Sequence, residues 1–342
     1  MRALVLAGGK GTRLWPMTRI LPKPFAPVAN RPVLGWVLDH LDAAGVEMIG
    51  VIVRAAETDL YERGFGVRTA AGTPIAWLAE HEPLGSGGAL RAQRDFFRDG
   101  PVLVVPADIL CPMDLSALIA FHHRRRPAVT VAVMARDMTV WDGDVAVITP
   151  DGLSRYLFKP GPAVQSNLGS TGTWIVEPDL VDTIPENAFT DFSMSVLPSL
   201  PDFSLRLETF DTAGTYLRDV GTLDALLAAN LEIVAGNAPL RPGPASPWAD
   251  GLSDGTAAID ATATITGPVL VGADATIHAG AEVRGPAVIG PGAIVGPGAR
   301  VDASLVLPGA TVPARDRLTG VVHGDAGDAL RVLTSRYADG PR

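Results

Sequence analysis

Apolar and polar residues alternate in blocks over the first two thirds of the chain, in a pattern typical of strands that alternate with helices. Residues 3–7 form a short apolar run that predicts a buried strand, and residues 32–44 place apolar side chains at helical spacing. The other predicted elements are strands at 48–53, 74–78, 102–105 and 129–135 and helices at 89–97 and 115–122. This order predicts an α/β domain with a doubly wound, mostly parallel sheet.

The pattern changes after a last predicted helix at residues 223–235. Residues 237–256 contain several prolines and no apolar periodicity, which predicts a linker. Aliphatic residues then recur at every sixth position, at Ile259, Ile265, Val271, Ile277, Val283, Ile289, Val295, Val301 and Leu307. A period of six suits a coil of three short strands with one inward aliphatic side chain each, so residues 257–313 are predicted to form a parallel β-helix. The predicted division is a domain at 1–236, the linker, the β-helix and a tail at 314–342.

Composition narrows the class of protein. The 342 residues are 47% hydrophobic and 19% charged, enough apolar sequence for a large core in two domains. The formal net charge of -9 argues against nucleic-acid partners, so a basic site for phosphates would be local. The single cysteine, the lack of a visible signal peptide and the lack of a bilayer-length apolar run predict a cytoplasmic protein with no membrane partner.

The first predicted strand leads into a glycine-rich stretch with cations nearby. Gly8, Gly9 and Gly11 expose backbone N–H groups that can approach an anion. Arg13 and Lys23 add the positive charge that a polyphosphate needs. A Walker loop is excluded because no Lys-Ser or Lys-Thr pair follows in register, and a dinucleotide fingerprint fits poorly because its third small residue is missing. The stretch therefore predicts a nucleotide site of another kind.

The arrangement G-G-x-G-T-R-L-x-P-x-T, followed by P-K-P, resembles the signature of the sugar-1-phosphate nucleotidyltransferases, in particular those of the mannose-1-phosphate guanylyltransferase type. The resemblance implies that Arg13 stabilises a leaving pyrophosphate and that Lys23 lies near the attacked phosphate. The six-residue period in turn resembles that of left-handed β-helix proteins, which implies a left-handed coil. The loop residues implied to bind the nucleotide are Leu6, Ala7, Gly8, Gly9, Gly11, Thr12 and Arg13.

Residues 82–90, EPLGSGGAL, resemble the family segment that contacts the nucleotide base. A structural loop is the alternative role. The carboxylate of Glu82 can accept the N1 and N2 protons of guanine, which adenine and thymine do not present in the same way. GTP is therefore favoured, with a thymidylyltransferase of the same family as the alternative. The implied base contacts are Glu82, Pro83, Gly85 and Gly87.

Two aspartates are candidate magnesium ligands. Asp108 follows the predicted strand at 102–105, which places it at the edge of the sheet where the glycine loop begins; a helix cap or turn is its alternative role. Asp219 precedes the last predicted helix, and Thr222 is better placed to cap that helix. The resemblance implies that both aspartates hold Mg²⁺ against the nucleotide phosphates.

The residues implied to bind the acceptor substrate, the sugar 1-phosphate, depart from the family pattern. Lys159, followed by Pro160, is implied to bind the phosphate of the sugar 1-phosphate. Phe158 replaces a glutamate, Ser170 replaces an asparagine, and Asp144 stands where a glycine is usual. Two interpretations stay open: an unusual acceptor such as a deoxysugar, heptose or cyclitol phosphate, or a noncatalytic regulatory subunit that binds a nucleotide sugar. Because the residues implied to bind the nucleotide are all present, the first interpretation, an enzyme with an unusual acceptor, is favoured.

A run of basic residues that begins with two histidines, and one separate histidine, are assigned structural roles. The run from His122 to Arg126 ends a predicted helix and is expected to be a solvated, dipole-compatible cap. His278 lies in the predicted β-helix and raises the alternative of an acyltransferase. Because the other active-site features of such enzymes are not visible, we expect an exposed coil residue there.

The predicted reaction joins these features. A phosphate oxygen of the acceptor attacks the α-phosphorus of a nucleoside triphosphate in line, giving a nucleotide sugar and pyrophosphate without a covalent enzyme intermediate. Short β-helices leave end coils and faces exposed, so a homo-oligomer is expected.

Overall fold

The computed structural model describes residues 1–19, 21–139, 141–148, 154–161, 164, 166–241, 246–248, 251–253, 256–324 and 331–333. Contacts divide the chain into two compact units, the first made of residues 1–9 and 37–217 and the second of residues 10–36 and 218–342. The predicted linker and tail lie partly outside the described residues, and the predicted domain bounds stay a prediction. Within the described ranges, no helix combines the length and the apolarity that crossing a membrane requires.

The helical elements include short 3-10 turns as well as α-helices. The α-helices are α1 Val33–Ala43, α2 Thr58–Phe65, α3 Gly85–Ala92, α4 Leu115–Arg125, α5 Pro178–Asp182, α6 Leu197–Ser199 and α7 Leu223–Val234. The 3-10 turns are Thr12–Leu14, Met17–Arg19, Lys23–Phe25, Ala55–Glu57, Arg94–Phe97 and Leu200–Phe203, and a π-helical turn is Phe192–Val196.

The strands are longest in the first unit and short in the rest of the chain. Those before residue 218 are β1 Arg2–Leu6, β2 Pro27–Val28, β3 Arg31–Pro32, β4 Ile49–Arg54, β5 Ile75–Glu80, β6 Val102–Pro106, β7 Ile109–Leu110, β8 Val129–Ala135, β9 Val145–Ile148, β10 Ser154–Leu157, β11 Leu168–Val176 and β12 Leu207–Asp211. Those after it are β13 Arg218–Asp219, β14 Ser246–Trp248, β15 Gly251–Ser253, β16 Ala258–Ile259, β17 Thr264–Thr266, β18 Val269–Val271, β19 Thr276–Ile277, β20 Glu282–Arg284, β21 Ala287–Ile289, β22 Ile294–Val295, β23 Arg300–Asp302, β24 Leu305–Val306, β25 Thr311–Val312, β26 Arg317–Thr319, β27 Val321–His323 and β28 Arg331–Leu333.

The first unit is built on a mixed sheet. Its strands follow the order β10-β9-β11-β6-β1-β4-β5, and β8 joins β11 to β12. Strands β6, β1, β4 and β5 are parallel, whereas β11 runs antiparallel to β6 and β8. The central strands are unbroken apolar runs because both of their faces are covered; Leu4, Val51 and Val104 are fully buried. The predicted α/β fold is confirmed, with antiparallel strands added on one side.

The second unit contains the predicted parallel β-helix. Its strands stack in three sheets: β16-β19-β22-β25, β17-β20-β23-β26, and a third that includes β15-β18-β21-β24-β27. Ile265 pairs with Val283, and Val283 with Val301, so the first coils have the eighteen-residue length that a period of six requires. The stack continues through β27, beyond the end predicted at residue 313. The left-handed sense stays a prediction.

One coil of the β-helix is a residue shorter than the predicted repeat. Ile289 pairs with Val306, a step of 17 residues, and Val312 pairs with Val295. Val306 therefore continues the inward row, and the prediction of Leu307 at that position is wrong. The six-residue count reached Leu307 because a second aliphatic residue happens to follow Val306.

Helix α7 packs on the third sheet of the β-helix. It contacts β21, β24 and β27, and its Leu226 and Leu231 are buried. The residues Val269–Val271 of that sheet are buried on both faces of the strand. In this unit, α7 therefore shares one apolar core with the β-helix.

Candidate active site

The start of the glycine loop leaves the sheet of the first unit at its carboxyl edge. Strands β1 and β6 pair in parallel, and the backbone N–H of Ala107 donates to the carbonyl oxygen of Leu6 at 3.1 Å. The N–H of Ala7 donates to the carbonyl oxygen of Ile52, in β4, at 3.0 Å. The loop thus begins between two strand ends, where open α/β sheets bind ligands. The predicted nucleotide contacts in this part are Leu6, Ala7, Gly8 and Gly9.

Asp108 leaves the sheet at the same edge. It follows Ala107 in the turn between β6 and β7, and it is partly exposed. Since Ala107 is hydrogen-bonded to the end of β1, Asp108 lies next to the strand that carries the glycine loop.

Glu80, which the sequence analysis did not select, lies against the glycine loop. It ends β5, and its Oε2 atom lies 2.5 Å from the position that a Cβ on Gly8 would take. A side chain at residue 8 would therefore clash with this carboxylate. The Oε1 atom of Glu80 accepts a hydrogen bond from the N–H of Leu84 at 3.3 Å. The signal that selected Asp108, an acidic residue after an apolar run, also applies to Glu80, which follows residues 75–79.

A cavity of about 270 Å³ lies between the end of β5 and α3. Its polar lining side chains are suited to the edge of a flat heterocycle, and its apolar ones to the faces. Of the predicted base contacts, Glu82 lines this cavity. The lining residues are Ile52, Ala79, Glu80, His81, Glu82, Leu84, Ala89, Ala92, Gln93 and Asn187.

The glycines at the start of α3 have a packing role. The N–H groups of Gly87 and Gly88 donate to the carbonyl oxygen of Thr190 at 2.8 and 3.0 Å. A Cβ on Gly85 would lie 2.6 Å from the same oxygen. The predicted contacts Gly85 and Gly87 thus pack against residue 190, whereas Glu82 and Pro83 are exposed.

In the second unit, Asp219 lies between the two predicted catalytic cations. Its Oδ2 atom is 3.6 Å from a terminal nitrogen of Arg13, and its Oδ1 atom is 3.5 Å from Nζ of Lys23. The side chain of Lys23 is only 10% exposed, while that of Arg13, in the turn Thr12–Leu14, is 67% exposed. The carboxylate therefore holds a nearly buried ammonium group and a guanidinium group that projects into solvent.

Two glycines allow this group to pack closely. Gly11 has a φ of 61°, in the left-handed region, and a Cβ there would lie 3.0 Å from both Lys23 and Thr18 side-chain carbons. A Cβ on Gly221 would lie 2.8 Å from Oδ1 of Asp219. The chain thus needs glycine at both positions for the approach of Lys23 to Asp219.

The predicted magnesium ligands belong to different units. Among the residues that the structure describes, no group of three or more acidic, histidine or cysteine side chains is arranged to hold a metal ion. Mg²⁺ is commonly held by one or two carboxylates while phosphates and water complete its coordination. Each of these aspartates supplies one carboxylate, which is the oxygen chemistry that Mg²⁺ prefers in proteins.

The predicted acceptor residues Asp144, Lys159 and Ser170 meet in one polar cluster of the first unit. The Tyr156 hydroxyl donates to Oδ2 of Asp144 at 2.7 Å, and lies 3.3 Å from Oγ of Ser193. The backbone N–H of Lys159 donates to Oδ1 of Asp144 at 3.3 Å, and that of Ser170 to its carbonyl oxygen at 2.8 Å. Burial, and then the charge of Asp144, raise the pKa of Tyr156, so this hydroxyl stays protonated and keeps donating.

The residues next to this cluster face solvent. Phe158 is 40% exposed, which places an apolar ring at the surface rather than in the core. Lys159 has a φ of 38°, a strained conformation for a residue with a side chain. Local strain of this kind recurs at ligand sites.

The prediction of a solvated run from His122 to Arg126 is wrong for its first residue. His122 is 1% exposed because it continues the inward stripe of α4 that begins with Leu115 and Leu118. Its Nδ1 lies 2.8 Å from Oγ1 of Thr130 and its Nε2 lies 3.2 Å from Oε1 of Glu177. Burial lowers the pKa of His122 to about 4. His278, by contrast, is exposed in its coil as predicted.

Two family models match the chain. A model described as nucleotidyl transferase matches residues 2–236, and one described as bacterial transferase hexapeptide (six repeats) matches residues 268–303. The first covers the predicted glycine loop and both aspartates, and the second lies within the β-helix.

Curated proteins similar to this chain carry the names of nucleotidyltransferases. A mannose-1-phosphate guanylyltransferase of Mycobacterium tuberculosis is 30% identical over 271 residues, which are 79% of this chain and 73% of the relative. A UTP–glucose-1-phosphate uridylyltransferase of Synechocystis sp. is 31% identical over 60% of this chain and 56% of its own length. A mannose-1-phosphate guanyltransferase of Candida albicans is 32% identical over 65% of this chain and 61% of its own length. For the last two, the chain spans less than two thirds of the relative.

Proposed function

Because this chain belongs to the nucleotidyl transferase family, as a sugar-1-phosphate nucleotidyltransferase, we propose that it uses GTP and a sugar-like acceptor other than an ordinary hexose 1-phosphate. The observation that carries the triphosphate part of the proposal is the group of Arg13, Lys23 and Asp219 beside the glycine loop. It supplies two cations, one of them nearly buried, at the loop that the family uses for its nucleotide.

The chemistry needs positioning and charge stabilisation rather than a nucleophilic side chain. An oxygen of the acceptor phosphate, ionised at neutral pH, attacks the α-phosphorus; the new P–O bond forms while the bond to the β-phosphate oxygen breaks. Lys23 stabilises the charge on the attacked phosphate, Arg13 that on the departing pyrophosphate, and Lys159 binds the incoming phosphate. Low exposure strengthens the effect of Lys23 because water screens its charge less.

A guanine base is supported by the two carboxylates on the cavity beside α3. Glu80 lies against Gly8 at the start of the glycine loop, so a base there and a triphosphate on the loop can belong to one nucleotide. A carboxylate accepts the N1 and N2 protons of guanine together. Glu80 is less exposed than Glu82, and we therefore assign the main base contact to Glu80.

An unusual acceptor is supported by the cluster around Asp144. Its carboxylate stands where the family has glycine, and both of its oxygens already accept hydrogen bonds from the chain. The exposed ring of Phe158 cannot accept a bond from a sugar hydroxyl. An acceptor with fewer or rearranged hydroxyls, such as a deoxysugar, heptose or cyclitol phosphate, suits these changes.

We also propose that Asp108 and Asp219 hold Mg²⁺ together with the phosphates of the nucleotide. When bound, the ion offsets part of the negative charge that moves to the pyrophosphate.

A pyrophosphate-release screen tests the proposal. Four or five nucleoside triphosphates are paired with hexose, deoxyhexose, heptose and cyclitol phosphates, with Mg²⁺ and with a chelator. We expect the highest kcat/KM with GTP and a non-hexose acceptor, and no release with the chelator. Faster turnover with UTP or dTTP contradicts the assignment of guanine. Binding of GTP or a nucleotide sugar without pyrophosphate release from any pair favours the noncatalytic regulatory subunit.

A further inference from the structure

Two asparagines fix the hairpin that follows Lys23. Strands β2 and β3 pair directly after the turn Lys23–Phe25, and their connecting residues Ala29 and Asn30 have φ angles of 48° and 60°. A left-handed backbone is unfavourable for a residue with a side chain, and most of all for one without a short polar group, such as Ala29. This turn is therefore held by contacts outside itself.

Asn230, in α7, makes the first of these contacts. It is fully buried; its Oδ1 accepts from the N–H of Ala29 at 2.8 Å, and its Nδ2 donates to the carbonyl oxygens of Pro27 and Leu226 at 2.9 Å each. Two of these three hydrogen bonds join the hairpin. The amide thus fixes the hairpin to α7, the helix that begins shortly after Asp219 in the sequence.

Asn30 makes the second contact, to the β-helix itself. Its Nδ2 donates to the carbonyl oxygen of Ile289, in β21, at 3.0 Å. A Cβ on Gly272 would lie 2.9 Å from this nitrogen, so the glycine leaves the space that the amide fills. Strand β21 has a neighbour on each side, β18 and β24. The hairpin is therefore attached to the interior of the stack and not to its end.

Hydrogen bonds connect this hairpin to Lys23. The N–H of Ala26 donates to the carbonyl oxygen of Lys23, and the N–H of Val33 donates to the carbonyl oxygen of Ala26, both at 2.9 Å. The Nζ atom of Lys23 in turn lies 3.5 Å from Oδ1 of Asp219, which precedes α7 in the sequence. The backbone and the ammonium group of Lys23 are thus both fixed by parts of the chain that pack with the β-helix.

We propose that Asn30 and Asn230 are positioning residues through which the β-helix holds Lys23 for the transfer step. The β-helix then serves the chemistry and not only assembly, because a small displacement of a charge-stabilising group reduces the rate without weakening ground-state binding. This inference rests on the role given to Lys23 in the proposed function.

Asn30→Ala is the main test, because it removes the bond to the β-helix and leaves the bonds of Asn230 in place. We expect kcat to fall about ten-fold or more while KM for both substrates stays within about two-fold. Asn237→Ala, at an exposed position after α7, is the matched control and should keep the wild-type kcat.

Val301→Ala separates positioning from general stability. Val301 is buried in β23, in the second sheet, and its truncation should lower Tm at least as much as Asn30→Ala. At a temperature where all variants are folded, Val301→Ala should keep the wild-type kcat. A kcat of Asn30→Ala within two-fold of the wild type, or an equal loss in Val301→Ala, overturns the inference.

Hydrogen exchange tests the inference without any turnover. A peptide covering residues 22–36 should exchange faster in Asn30→Ala and in Asn230→Ala than in the wild type and in Asn237→Ala. If the wild type releases no pyrophosphate, the proposed function fails, and this comparison still decides whether the asparagines fix the segment. Unchanged exchange over 22–36 in both variants then overturns the inference.

Discussion

Lys23 and Arg13 lie near the same carboxylate but differ in exposure to solvent. Both approach Asp219, but Lys23 is nearly buried and Arg13 is mostly exposed. In the proposed reaction, the nearly buried ammonium group of Lys23 acts strongly on one phosphate, while the exposed guanidinium of Arg13 can follow the pyrophosphate as it leaves.

At the scale of single residues, Glu80→Gln should weaken the preference for guanine. The glutamine oxygen can accept one of the two guanine protons, but the amide NH₂ group would point its own hydrogen at the other. We therefore expect kcat/KM for GTP to fall about 100-fold, with a smaller change for UTP. The measurement is kcat/KM for both triphosphates with the best acceptor.

Glu82→Gln is the control for this prediction, since Glu82 lines the same cavity but is more exposed. It should change neither value more than about three-fold. A larger loss in Glu82→Gln than in Glu80→Gln would return the base contact to Glu82.

The same residues show what sequence can and cannot give. Asp108 could be placed because a carboxylate directly after an apolar run marks the end of a buried strand. Glu80 also follows an apolar run, but the strand that it ends is only partly buried, and its approach to Gly8 depends on how separate strands are packed. Asn30 and Asn230 carry no local signal for this role, because the hydrogen bonds that hold the hairpin join residues 201 to 259 positions apart.

At the scale of elements, the glycine that starts α3 illustrates a steric requirement that can be measured. Gly85 and Gly45 have φ angles of 72° and 70°, yet a Cβ on Gly85 would meet the carbonyl oxygen of Thr190 at 2.6 Å, whereas that on Gly45 would meet nothing within 4 Å. Gly45→Ala should cost about 1 kcal/mol of unfolding free energy, and Gly85→Ala about 3 kcal/mol or more. Urea unfolding followed by circular dichroism gives both values, and equal losses would contradict the steric argument.

The elements themselves were predictable to different degrees. The β-helix could be predicted from its period, because each of its short strands places one aliphatic side chain in the interior. The prediction holds until the shorter coil, where Val306 and not Leu307 takes the interior position. Counting every sixth residue does not reveal the shorter coil, because Leu307, one position after Val306, is also aliphatic. His122 was assigned to solvent for a similar reason: its charge pattern suggested a cap, while its helical spacing from Leu118 placed it inside.

At the scale of the whole molecule, the burial of His122 makes stability depend on pH. Its pKa in the folded protein, about 4, is below the ordinary 6.5, so between these values the unfolded chain binds a proton that the folded protein excludes. The free energy of unfolding should therefore fall by about 3 kcal/mol as the pH falls from 6.5 to 4. Urea unfolding across this range measures the slope.

His122→Gln should flatten this part of the profile, and His123→Gln, at the exposed neighbouring position, should leave it unchanged. Burial also raises the pKa of Glu177, which works in the opposite direction and makes the wild-type slope smaller than His122 alone would give. The prediction is contradicted if the unfolding free energy falls with pH as steeply in His122→Gln as in the wild type.

The division of the chain into sequence-distant parts also sets a timetable for synthesis. Residues 10–36 leave the ribosome early, but Asn230 and Ile289, which hold their turn, are translated some 200 to 260 residues later. At usual elongation rates this delay is roughly ten seconds to a minute. A nascent chain therefore carries residues 10–36 without these contacts until the middle coils of the β-helix have been made.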